Sequence, residues 1–259
     1  MIYLREAIRL AIEATRPWAR ERSARTRRQL ILAGIRQMAE EGIDGVSLRA
    51  VNAASGARNS SAAHYHFGSK LGLLEAIVEA LEQDVAMVRQ PLMAELRARP
   101  AADRPTPREI IEAAYGPVMG LMFHAEYGLH GIRFLSRLIA DTGPELRVLA
   151  NKFTGPLAEY VLEMLIEALP EIPPRVLKMR ILFSLINLIN GMSDVLALET
   201  SPFGDMSTPG SLEAANYFIE YITAGISAPP GPLTEDFVAQ SREIIRTYSE
   251  LGQDSNQAS

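Results

Sequence analysis

The sequence predicts an all-α protein in which a small, basic N-terminal helical unit precedes a larger, acidic one. Three observations carry that expectation. Apolar residues recur at spacings of three and four, Pro and Gly divide the chain into segments of helical length, and no convincing period-two run of β-branched residues interrupts them. At 259 residues the chain is long enough for a small module plus a larger one.

The elements follow in order. Thr26-Arg27-Arg28-Gln29 fits a capping box, after which Ile31, Ile35 and Met38 share one helical face until Gly42 stops the turn. Ser47 caps a short second helix with Leu48, Val51 and Ala54 inward, and Ser55-Gly56 turns the chain. A third short helix runs from about Asn59 to Tyr65 and ends at Gly68-Ser69. Ser69 caps a long fourth helix carrying Leu74, Ile77, Leu81, Val85 and Val88 at helical spacing. Residues 97–107 form a loop, and Thr106-Pro107-Arg108-Glu109 opens a fifth helix with a capping box and an N-terminal proline. Pro117 is expected to kink that helix and open space beside the bend. Further helices are expected near 131–141, 144–168, 174–199 and 211–227, and Pro229-Pro230-Gly231-Pro232 precedes a modest amphipathic helix with Phe237, Ile244, Ile245 and Tyr248. The expected organisation is an N-terminal arm at 1–22, a helix-turn-helix at 23–70, a helical effector and dimerisation domain at 71–228, and a tail at 229–259.

Net charge is −5, unevenly spread: residues 16–70 hold ten Arg or Lys against four acids, which leaves −11 on 71–259. A basic head on an acidic body suits a polyanionic partner for the head alone, although a solvated Arg-rich face reads the same way. Arg16, Arg20, Arg22, Arg25, Arg27 and Arg28, with Trp18 among them, form either an arm that follows DNA or a solvated leader. Arg5, Glu6, Arg9 and Glu13 interrupt the first apolar run, so no secretory signal is expected there. No uninterrupted apolar run suggests a membrane span, and the absence of Cys points to the cytoplasm.

Three helices with a tight Gly-containing turn between the second and third satisfy the needs of a helix-turn-helix, because the second must brace the third at the groove. The third offers Asn59, Ser60, Ser61, His64 and Tyr65, polar groups able to meet phosphates or base edges. Phe67 and His66 read as packing residues. Ser69 and Lys70 place a cation at a helix start, which suits a phosphate.

Ser47-Leu48-Arg49-Ala50-Val51, then Ala54-Ser55-Gly56, then Ala63-His64-Tyr65-His66-Phe67-Gly68-Ser69-Lys70 and Leu73-Leu74 occur in order over about residues 26–82. This stretch resembles the TetR family of transcriptional regulators. The resemblance implies a homodimer whose third helices enter the major groove of double-stranded operator DNA. It carries over Ser60, Ser61, His64, Tyr65 and Lys70 as contacts, with Arg49, Arg58 and Asn59 as lesser ones. The family often has Gly or Thr ahead of its aromatic position, where this chain has Ala62-Ala63-His64, so the base-reading residue stays open.

The resemblance also implies a cavity for a hydrophobic effector among helices five to eight, and release of the operator when it is filled. Tyr115, Met119, Met122, Phe123, Phe134, Leu138, Phe153, Tyr160 and Met164 form an adaptable apolar set around Pro117, readable as pocket lining or as core. The helices near 174–199 and 211–227 carry Leu177, Ile181, Leu185, Leu188 and Met192, and Leu212, Ala215, Phe218, Ile219 and Ile222. Paired across a two-fold axis they would build a four-helix dimer seam. Ser184, Asn187, Asn190, Gly191 and Asp194 recur beside the first set, as a solvent face or as seam or pocket contacts. No catalytic residue, cofactor or metal is expected. His124, Glu126 and His130 fit no recognised ligand spacing, and no phosphate-cradling loop or nucleophile elbow occurs. The competing readings are a helical adaptor that binds protein alone and, less economically, a metal-binding enzyme.

Overall fold

The structure is a computed structural model that describes residues 22–57, 59–141, 143–193, 196–206 and 211–257. Residues 1–21, with Arg16, Trp18 and Arg20, lie outside the described residues, as do Arg58 and Asp194. Every regular element among the described residues is helical. In chain order they are α1 (Arg22–Glu41), α2 (Leu48–Ala54), α3 (Ala62–Phe67), α4 (Lys70–Arg97), α5 (Pro107–Gly120), a 3-10 turn (Leu121–Phe123), α6 (Leu129–Ala140), α7 (Pro144–Ala168), α8 (Pro174–Ser193), α9 (Leu196–Glu199), α10 (Ser211–Ser227) and α11 (Glu235–Gln257). The described residues up to Ser227 form one compact unit, and those from Ala228 onward form another built on α11.

Several starts and stops are set by local chemistry visible in the sequence. The side chain of Ser47 accepts from the Ala50 N–H (3.1 Å), and that of Ser69 accepts from the Gly72 N–H (3.0 Å). Thr106 and Glu109 complete both halves of their capping box, and Glu109 is held below the usual carboxylate range by the Thr106 backbone N–H and by Arg99. α1, by contrast, is already helical at Arg22, four residues ahead of the expected Thr26 start. Arg22-Ser23-Ala24-Arg25 contains no breaker, so the helix runs through the apparent cap.

The core is one continuous cluster from Leu30 on α1 to Ile226 on α10. α1 packs on α2, α4 and α6; α4 packs on α5 and α7; α8 packs on α6 and α7; and α10 closes over α5 and α8. α5 continues through the buried Pro117 and tightens into the 3-10 turn at Leu121.

α8 requires a correction. Leu177, Ile181, Leu185 and Leu188, read from sequence as a face for a second copy, are buried inside the protomer. The outward apolar stripe is instead Met179, Leu182, Phe183 and Ile186, spaced three, one and three apart. The helix is apolar on two sides, so periodicity alone cannot say which is inner. Contrary to the expectation of no span-like segment, Pro174–Ser193 is long and apolar enough to cross a membrane by length and composition, with mean hydropathy 1.2. Its inner side is occupied by the core. On α10, Ile219, Ile222 and Ile226 are buried, Ala215 and Phe218 are half-buried against the core, and Leu212, Tyr217 and Tyr221 face out. The polar stripe also divides. Ser184 is buried, gives its proton to the Ile181 carbonyl and accepts from the Tyr115 hydroxyl (2.5 Å), whereas Asn190 accepts from Ser136 at the surface and Asn187 is exposed.

Candidate nucleic-acid interface

α3 is only six residues long, and one buried side chain holds it in place. Asn52 on α2 is 5% exposed. Its Nδ2 donates to the Asn59 carbonyl (3.0 Å) and its Oδ1 accepts from the Ala63 N–H (2.9 Å). The two bonds tie the turn and the first turn of α3 back onto α2, work that hydrophobic contact alone could not orient. Sequence reading placed Ala54 inward on α2 and missed Asn52; Ala54 is exposed. An Asn at an inward helical position was the available signal. Replacing Asn52 with Ala leaves a backbone carbonyl and an N–H without their partner, at roughly 1–3 kcal/mol for each buried group left unpaired. The expected result is a lower denaturation midpoint by urea titration; an unchanged midpoint would show that water replaces both bonds.

With the turn so fixed, α3 begins at Ala62 rather than near Asn59. Ala62 and Ala63 face inward, and Asn59, Ser60 and Ser61 occupy the preceding turn. Asn59 Oδ1 accepts from the Ser61 N–H (3.0 Å), so that oxygen serves the turn itself. Ser60, Ser61, His64 and Tyr65 are exposed, Tyr65 by 82%. His64 donates from Nδ1 to the Gly68 carbonyl (3.3 Å). Arg49 is exposed on α2. Lys70 is half-buried at the start of α4, with Nζ donating to the Asp44 carbonyl (3.3 Å). His66 and Phe67 are half-buried; burial and the neighbouring Arg27 hold the His66 ring below its usual pKa, and the Arg27 guanidinium sits 5.4 Å from the centre of the Phe67 ring. The structure thus gathers Arg49, Asn59, Ser60, Ser61, His64, Tyr65 and Lys70 around one turn and one short helix.

A second polar cluster joins α1 to the α5–α6 connection. Arg28 forks onto the Glu126 carboxylate, Arg36 donates to the Glu126 carbonyl (2.8 Å), and His130 Nε2 meets Glu40 at 2.9 Å. The Tyr127 hydroxyl donates to Asp84 on α4 (2.9 Å), and burial pushes its pKa up. His124 stacks on Tyr127 at 3.8 Å, and burial, opposed by Asp84 and aided by the Arg28 charge, holds its ring below the usual imidazole pKa. His124, Glu126 and His130 therefore each serve a different contact, and among the described residues no three such groups converge as for a metal.

Of the nine candidate lining residues, Met164 lines a cavity of about 410 Å³ between the end of α4, the following loop and α7. Its apolar side includes Leu96 and Ile110, and its charged side alternates Arg97, Arg99 and Arg104 with Glu163 and Glu167, Arg97 being paired with Glu163 and Arg99 with Glu109. Tyr160 lies beside it, with its ring 3.6 Å from the Arg97 guanidinium. Tyr115, Phe134, Leu138, Phe153 and Met119 are buried, Met122 is half-buried and Phe123 is 68% exposed; none of these lines that cavity or the smaller one beside α1.

Residues 30–77 match the family model described as bacterial regulatory proteins, tetR family, and residues 112–225 match the tetracyclin repressor-like C-terminal domain. The chain belongs to the TetR family. Both halves of this TetR-family regulator are accounted for, since the two models together span well over half of it. Among solved structures, the transcriptional regulator FadR from Bacillus subtilis, in complex with stearoyl-CoA, aligns with TM-score 0.55 at 14% identity over 76% of this chain and 98% of its own. NalD from Pseudomonas aeruginosa, the secondary repressor of the MexAB-OprM multidrug efflux pump, aligns with TM-score 0.52 at 20% identity over 78% and 97%. At these identities the likeness establishes the fold. No curated protein matches the sequence.

Proposed function

We propose that this TetR-family protein is a homodimeric repressor that holds operator DNA through α3 and its flanking residues, and that a small hydrophobic effector releases it. The observation that carries the reading is the outward presentation of Ser60, Ser61, His64 and Tyr65 on an element clamped from behind by Asn52. Lys70 and Arg49 supply the nearby cations for phosphates. Met179, Leu182, Phe183 and Ile186 on α8, with Tyr217 and Tyr221 on α10, make the dimer seam, because they expose apolar and aromatic surface on two helices that pack together. The effector enters the cavity beside Met164, where apolar walls meet a rim of paired arginines and glutamates. Signal reaches α1 through the Arg28–Glu126 and Glu40–His130 ties, which couple the DNA-binding helices to the body.

The test is selection of duplexes from a random pool by the purified full chain, followed by salt titration of the selected operator. Lys70→Gln is expected to weaken binding across sequences and to lower the slope of log affinity against log salt by about 1 for each phosphate contact removed. Tyr65→Ala is expected to weaken binding with the salt slope nearly kept. Failure to retain any duplex at low salt would end the reading.

A further inference from the structure

α11 is 23 residues long and keeps its apolar residues outward. Phe237, Ile244, Ile245 and Tyr248 are exposed, with Val238 and Ser241 half-buried between them. Phe237, Ser241, Ile244 and Tyr248 are four, three and four residues apart, so Phe237 and Ile244, like Ser241 and Tyr248, repeat every seven. This is the spacing of the seam positions of a coiled coil, and Val238, Gln240, Ile245 and Thr247 fall on the positions that flank such a seam. None of these eight residues is charged. The charges of the same stretch, Glu235, Asp236, Arg242, Glu243, Arg246 and Glu250, all fall on the opposite face. There Arg246 pairs with Glu243 at 2.7 Å and reaches Glu250 at 3.8 Å, so the outer face satisfies its own charges.

We propose that α11 pairs with the α11 of a second copy of this chain, side by side and parallel, as a short two-stranded coiled coil that adds to the dimer built on α8 and α10. Symmetry carries the choice of partner. In a parallel two-fold pair each seam residue meets its own double, so any charge at the seam or on its flanks would face a like charge. This face is free of charge over its whole described length, with the charged side chains set where a second helix does not reach. A lipid surface suits it less, because interfacial helices carry Lys and Arg on their polar face, whereas here acids outnumber bases four to two between 235 and 250. The tether supplies the second copy. Only seven residues, 228–234, separate α11 from Ser227 at the end of α10, a reach of at most ~25 Å. Two helices of this length pair weakly when free, but flexible tethers of that size hold them at roughly millimolar local concentration. The pairing rests on the reading of α8 and α10 as the seam of a dimer, which it reinforces and does not replace.

The chain has no cysteine, so a single introduced thiol reports on its own double. Ile244→Cys and Phe237→Cys are made in the full-length protein, with Arg246→Cys as the control on the outer face. Mild oxidation by copper–phenanthroline at low protein concentration is read on non-reducing gels. Both seam variants are expected to form covalent dimers at least about tenfold faster than Arg246→Cys, because facing seam positions come within disulfide reach. Equal rates at all three sites would mean random collision and overturn the pairing. Cross-linking at Ile244→Cys without Phe237→Cys would mark an antiparallel pair and overturn the parallel one. If neither seam variant cross-links, reaction with Ellman's reagent shows what covers the face: a slow thiol places α11 against its own body, and a fast one leaves the face to a different partner. Either result overturns the proposal. Sedimentation velocity of the unmodified chain separates the two readings. A monomer ends the α8–α10 seam and this pairing together, whereas a dimer whose seam thiols stay apart ends the pairing alone.

Discussion

Replacing Gly72 with alanine is expected to separate α3 from α4 and to cost the protein both stability and operator affinity. A Cβ built at Gly72 falls 2.2 Å from the Phe67 carbonyl oxygen, far inside contact distance. The neighbour is backbone, so no rotamer change relieves the clash. That carbonyl also accepts from the Ser69 N–H (2.8 Å), so the whole corner between the recognition helix and the cap of α4 must open. Overpacking of this kind costs about 1–3 kcal/mol and sometimes more. Because Phe67 ends α3, the displacement falls on the element that must fit the groove, and affinity for the selected operator is expected to drop by about a hundredfold, the size of a few lost contacts. Urea denaturation and operator titration measure the two effects. A Gly72→Ala protein with native midpoint and affinity would mean that the corner has slack the geometry denies.

If α8 forms the proposed dimer seam, the double variant Leu182→Glu, Phe183→Glu is expected to give a folded monomer. Leu182 is 51% and Phe183 55% exposed in the protomer, so neither is needed for its core. In a symmetric seam each substitution occurs twice, which places four carboxylates in an apolar contact where central anchors contribute about 2–4 kcal/mol apiece. A monomer meets one half-site and about half of the phosphates, and its operator affinity is expected to fall roughly a thousandfold or more. Sedimentation velocity reads the mass and circular dichroism reads the fold. A dimer that survives both substitutions would move the seam off α8. Leu185→Glu serves as the contrast: Leu185 is 4% exposed, so that change is expected to unfold the protomer rather than divide the dimer.

The parts legible beforehand share a cause. Caps at Ser47, Ser69 and Thr106 depend on residues three apart in the chain, and the structure makes each of those bonds. The family signature works likewise, since its spacing is local: its polar residues stand in one turn and the helices on either side of it. Asn52 was missed because its partners, Asn59 and Ala63, become visible only once the turn brings them back onto α2. The Arg28–Glu126 tie spans 98 positions and leaves no periodic trace.

By itself the amino-acid order determined that this chain is helical, where most of its helices begin, and that it carries the family signature between Ser47 and Leu74. Only the tertiary structure decided which side of α8 faces inward, and that cavities form at the joint and beside Met164. The reason is physical: hydrogen bonds within a turn and apolar periodicity act over a few residues, whereas burial and empty volume are set by how whole helices pack against one another.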